Sequence, residues 1–181
     1  MNRPFLRASR KQEPYGVTEL LACALLTGLL TGPASAQTPV LFGFLESDTR
    51  LAVWRAVEGA VARLALPGCQ ALFADFTDEV GQLLSTTLEA SGRSPAEAFA
   101  LLRFFDDREA PQCRAGTTLA FTQTGSRLIR VCGRAFRDRF LQNRRTTEII
   151  IIHEFLHALG LGENPPTSQA ITERVAVRCG G

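Results

Sequence analysis

The sequence predicts one small α+β domain, helix-rich with a small β-sheet and a helix buried on nearly every side. Three observations lead there. Segments with apolar residues at helical spacing lie apart from short β-favouring runs. One stretch, Thr146 to Leu159, is apolar almost throughout. A chain of 181 residues holds one core comfortably and two poorly. Strands and helices are segregated along the chain, with no internal repeat, low-complexity tract or linker, as α+β domains require.

The first residues are set apart from that domain. Arg3, Arg7, Arg10 and Lys11 precede an apolar run from Leu20 to Leu30, which ends in Pro33-Ala34-Ser35-Ala36 before Gln37. Basic, apolar and small-residue segments in that order form a secretory signal peptide, and the run is too short for a permanent span. We expect cleavage after Ala36, so that residues 1–36 are removed and residues 37–181 form the domain. The full chain has a formal net charge of +2. The leader carries four cations and, in Glu13 and Glu19, two acids, so the remainder is near neutral. No charge excess points to nucleic acid. The expected location is secreted or periplasmic, with no stable membrane span and a monomeric chain.

Beyond the leader lie Cys69, Cys113, Cys132 and Cys179. An even count in an exported chain predicts two disulfides, of which three pairings are possible. We take Cys69–Cys113 and Cys132–Cys179 as the working pair. The second would tie the C-terminal tail to the strand before the most apolar helix. No two cysteines have C-x-x-C spacing, which argues against a thiolate metal site.

In chain order, residues 47–65 read as an amphipathic helix on Leu51, Val53, Trp54, Val57, Val61 and Leu64, capped by Ser47 or Asp48 and broken at Pro67-Gly68. Ala71–Phe76 reads as a short strand. Thr77–Ala90 reads as a helix stopped by Ser91-Gly92, and Ser94-Pro95 opens another that runs to about Phe105. Residues 106–116 are loop-like. Thr117–Thr122 and Arg127–Cys132 form a hairpin across Gln123-Thr124-Gly125-Ser126. The second of these runs is either the edge over a substrate cleft or an ordinary core strand. Arg134–Arg145 is a short helix or an irregular connection. Pro165-Pro166 follows the apolar helix, and Ser168 caps a last helix over Gln169–Val177.

Chemistry concentrates in Glu148-Ile149-Ile150-Ile151-Ile152-His153-Glu154-Phe155-Leu156-His157, which contains H-E-x-x-H. Residues four apart share a helix face, so His153 and His157 can hold one zinc ion together. Glu154 lies about 100° round the helix from His153. There its carboxylate stands beside the metal's open position and can serve as the general base. The chain contains no further histidine.

The run His153-Glu154-Phe155-Leu156-His157-Ala158-Leu159-Gly160-Leu161-Gly162-Glu163 resembles the metzincin pattern H-E-x-x-H-x-x-G-x-x-H, with Glu in the last place. In that clan a Gly ends the metal helix and the residue three places on becomes the third ligand. The resemblance therefore implies a minimal zincin-like peptidase domain. Its metal ligands would be His153, His157 and Glu163, its cofactor Zn2+, its turn Gly160, its catalytic base Glu154, and its substrate a peptide or protein. The chain departs from the clan in its Glu ligand and in its only Met being Met1, so no Met can lie beneath the metal. It also resembles small exported bacterial proteins in which N-P-P, here Asn164-Pro165-Pro166, follows a C-terminal H-E-x-x-H. That likeness carries no substrate. Glu173 in the last helix is the rival third ligand.

Peptide hydrolysis also needs a second electrophile for the oxyanion. Tyr15 lies in the leader and both histidines are committed, which leaves Arg174 or backbone N–H groups. The small size and missing Tyr also motivate an alternative, a zinc-stabilised binding or inhibitor domain without significant hydrolysis.

Overall fold

A computed structural model describes residues 40–41 and 45–180. The expected leader lies outside the described residues. Among those residues the architecture is α+β: helices wrap a four-stranded sheet of order β1-β2-β4-β3. No helix among them is long and apolar enough to cross a membrane.

The long first helix, α1 (Ser47–Leu64), forms as its periodicity predicts, burying Val53, Val57 and Leu64. Glu46, not Ser47 or Asp48, is its N-cap residue, and no side chain caps it. Pro67 ends the run and opens α2 (Pro67–Gln70), because its fixed φ suits a first helical turn. The predicted strand at Ala71–Phe76 is instead a 3-10 turn, Ala71–Ala74, that buries Leu72 and Phe73. A short apolar run has no period long enough to separate the two conformations. The predicted helix over Thr77–Ala90 is only its last part, α3 (Leu84–Ala90). Ahead of it, the Asp78 carboxylate accepts from the N–H groups of Val80 and Gln82, a local turn that competes with helix.

Ser94 and Glu97 form a capping box on α4 (Pro95–Phe99). That helix stops early, and Arg103–Asp106 is a strand, β2, where the sequence reading continued the helix. Tertiary pairing decides this: β2 lies parallel to both β1 (Val40–Leu41) and β4 (Leu128–Val131), with Phe104 opposite Ile129. After α5 (Pro111–Arg114), β3 (Ala120–Thr122) and β4 make the expected hairpin, with Ala120 opposite Val131. Because β2 covers its other side, β4 is an inner strand, and β3 is an edge of the sheet among the described residues. This answers the open question about residues 127–132.

The chain ends with three helices, α6 (Gly133–Gln142), α7 (Arg144–Ala158) and α8 (Ser168–Cys179). Asn143 caps α7 through Thr146 N–H, and Thr167 rather than Ser168 caps α8. Packed against α1, α6, α8 and β3, α7 is buried as its isoleucines predict. The Phe155 ring meets Phe73 and Phe99 edge-on, with centroids 5.8 and 5.2 Å away.

The two disulfides are Cys69–Cys179 and Cys113–Cys132, which corrects the pairing expected above. The tail returns to α2, not to β4: Gly68 lies against the Arg178 carbonyl, and Arg178 grips Asp75 through two bonds of 2.7 Å. Cys132 stands at the end of β4, where its N–H donates to Leu119, close to α5 and its Cys113.

Candidate metal centre

The H-E-x-x-H segment occupies the last turns of α7. Its end is a Schellman cap. Leu161 N–H donates to Leu156 O and Gly160 N–H to His157 O, while Gly160 has φ of 111°. Only glycine adopts that conformation freely, and a Cβ there would stand 3.1 Å from Asp78 Cβ. The turn sends the chain back over the helix face and brings Glu163 to the two histidines.

The donor atoms converge. His153 Nε2 and His157 Nε2 are 2.9 Å apart, and Glu163 Oε1 lies 3.7 and 3.2 Å from them respectively. All three donors lie within 4.8 Å of one another, a group that could hold a metal ion. Each imidazole is oriented through its other nitrogen. His157 Nδ1 stands 2.7 Å from the Leu161 carbonyl, which only accepts, so the proton belongs on Nδ1 and Nε2 offers a lone pair. His153 Nδ1 is 2.9 Å from Thr172 Oγ1 in α8, a hydroxyl able to accept in the same way. Burial, with the neighbouring His157 adding to it, pushes the His153 pKa down to about 3. That imidazole is therefore neutral, as a ligand must be, and its approach to Glu163 is not an ion pair.

Glu154 points to the same cleft from a neighbouring position. It is 4 % exposed, and burial raises its pKa to about 8, with the Glu163 charge adding to the rise. Its Oε2 and Thr122 Oγ1 are the two buried side-chain atoms, among the described residues, without a hydrogen-bond partner. Buried polar atoms ordinarily find partners, and orphans gathered beside a metal-ligand cluster mark a place prepared for something polar. A divalent cation fits this donor set: two imidazoles whose other nitrogens are already engaged, and a half-exposed carboxylate.

The cleft runs along the β3 edge. One part, of about 500 Å3, is lined by Thr122, Gln123, His153, Glu154, His157 and Glu163. An adjoining part of about 400 Å3 shares Ala120, His153 and Glu154, and continues past Ile150 and Thr146.

Of the expected site residues, His153, Glu154, His157 and Glu163 come together. Glu173 does not: it is exposed and accepts from Gln169 Nε2 at 2.8 Å. Arg174 also lies apart, 3.9 Å from Asp75 on the flank of α8. Thr172 and Thr122 were missed, because each reaches the site from a distant segment and no local pattern marks either. Comparison with protein-family models, curated proteins and solved structures returned no match.

Proposed function

We propose that the protein is an exported zinc peptidase that hydrolyses peptide bonds, with His153, His157 and Glu163 as ligands and Glu154 as general base. The observation that carries this is the convergence of those three donors beside a buried carboxyl whose Oε2 has no partner. Bound there, zinc would supply a Lewis acid that brings a coordinated water's pKa to near 7 and polarises a carbonyl.

The chain's own groups do the rest. Glu154 Oε2 accepts the proton of the attacking water and returns it to the leaving amine. The β3 edge offers backbone N–H and C=O groups to an extended peptide, whose side chains then alternate between cleft and solvent. The α7 core and the bonds from Thr172 and Leu161 hold the imidazoles in register. Two disulfides suit an oxidising compartment, which supports export.

The test is zinc content together with a peptide-library cleavage profile, on wild type and Glu154→Gln. Stoichiometric zinc in both, with cleavage by wild type alone, is the expected result. Zinc bound by a wild type that cleaves nothing would instead favour the binding-domain alternative. A mature N-terminus other than Gln37 would correct the leader assignment.

A further inference from the structure

The part of the cleft that continues away from the metal ligands ends at a cation. Arg139, on α6, lines it together with Thr118, Thr146 and Ile150. Its guanidinium makes no ion pair or hydrogen bond among the described residues, whereas Arg134 and Arg137 on the same helix both share Asp138. Among the described residues Arg139 is, apart from Glu154, the only charged one lining that part, and Thr117, Thr118 and Thr146 add hydroxyls to the lining. Another pocket beside Glu163 is lined by Asp78, Glu79 and the Arg178-paired Asp75, with no cation among its lining residues.

Resting on the peptidase reading, we infer that this cleft selects peptides bearing an acidic side chain on the flank towards Arg139. Helix geometry sets the spacing. Thr146 precedes His153 by seven residues on α7, about 10 Å at 1.5 Å per residue. An extended peptide rises about 3.3 Å per residue, so the favoured Asp or Glu sits about three residues from the scissile bond. A guanidinium pairs with a carboxylate through two parallel hydrogen bonds, which neither Gln nor Lys reproduces. Arg139 is exposed to solvent, so water weakens the pair and the selection is moderate, about three- to tenfold in kcat/KM.

The experiment uses zinc-loaded protein and matched quenched peptides, built on a sequence returned by the library, with Glu, Gln or Lys stepped through four positions on each side of the cut. Glu should exceed Gln at one position about three residues away on one side only. Arg139→Gln should bring the Glu-to-Gln ratio to near one, and Arg139→Glu should shift preference to Lys. A flat wild-type profile, or a Glu preference that survives Arg139→Gln, overturns the inference. Absence of any turnover would be a failure of the peptidase reading, and the Arg139 subsite is then read by binding alone. Zinc-loaded Glu154→Gln is titrated with blocked alanine decapeptides carrying one Glu or one Gln. Tighter binding of the Glu peptide, lost on adding Arg139→Gln, supports the subsite; equal binding sinks it.

Discussion

Two carboxylates on one helix, Glu148 and Glu154, are both buried, at 6 % and 4 % exposure, yet they stand in opposite situations. Glu148 receives Arg63 Nε at 2.7 Å and Arg144 Nε at 2.9 Å, one guanidinium on each oxygen. Arg63 in turn donates to the Cys179 carbonyl, so the network joins α1, α7 and the end of α8. Gly59 gives Glu148 room, since a Cβ there would collide with its carboxylate. Among the described residues Glu154 has no hydrogen-bonded cation and one oxygen without a partner. Burial alone therefore does not mark a functional acid. A buried carboxylate with complete partners holds elements together, and one left incomplete is available for chemistry.

The largest effect expected from this contrast is on turnover. Glu154→Gln should lower kcat by about 10²- to 10⁴-fold, the usual contribution of a positioned general base. It should leave zinc stoichiometry intact, as read by elemental analysis. Glu148→Gln should do the reverse. Removing one charge from a largely buried network leaves Arg63 short of its partner and costs about 3 kcal/mol of stability. Urea unfolding with both disulfides intact measures this, and a greater loss in Glu154→Gln than in Glu148→Gln would break the comparison.

A smaller effect is the pH dependence of stability that His153 and Glu154 give the metal-free protein. In metal-free protein the His153 pKa lies near 3 against an ordinary 6.5, so the unfolded chain binds more protons below 6.5 and stability falls towards acid. The Glu154 pKa lies near 8 against an ordinary 4.5, so the folded chain binds more protons between those values and stability falls as pH rises. The two trends cancel from pH 4.5 to 6.5. From 6.5 to 8 Glu154 acts alone and removes about 2 kcal/mol at 1.36 kcal/mol per unit. Asp75, held low chiefly by its hydrogen bonds with Arg178, adds to the acid limb only. Melting curves of chelator-treated protein across pH 4 to 9 should therefore show an alkaline decline that Glu154→Gln abolishes. A decline that persists in the variant assigns it to another group.

How much of this was legible in the sequence differs between the two acids' surroundings. His153, Glu154, His157 and Glu163 lie within eleven residues, and helix periodicity plus one glycine turn suffices to bring them together. Arg63, a partner of Glu148, and Thr172, the partner of His153, come from other helices, contacts that depend on how helices pack, whereas Arg144 and the Leu161 carbonyl lie only four residues from the groups they meet. The same reason explains the mistaken disulfides: cysteine positions show how many bridges form, and tertiary packing chooses which. It also explains β2, whose Phe104-Phe105 run suits a helix or a strand until β1 and β4 flank it.

The smallest effect concerns the orphan beside Glu154. Thr122→Val keeps the shape of the side chain and removes its hydroxyl. If that hydroxyl is unsatisfied in the metal-free protein, its loss relieves a desolvation penalty and stability rises by about 1 kcal/mol. If it bonds to Glu154 in solution, the same substitution lowers stability by about that amount and raises the Glu154 pKa further, because the hydroxyl opposes the rise. The geometry favours the first outcome, since both oxygens lack partners at hydrogen-bond distance and angle. Urea titrations of wild type, Thr122→Val and Thr122→Ser at pH 5.5, inside the flat window, separate the cases without interference from Glu154 ionisation. A stabilised Val variant would show that the edge strand keeps a polar atom in the cleft at a cost to the fold, the same condition that distinguishes Glu154 from Glu148.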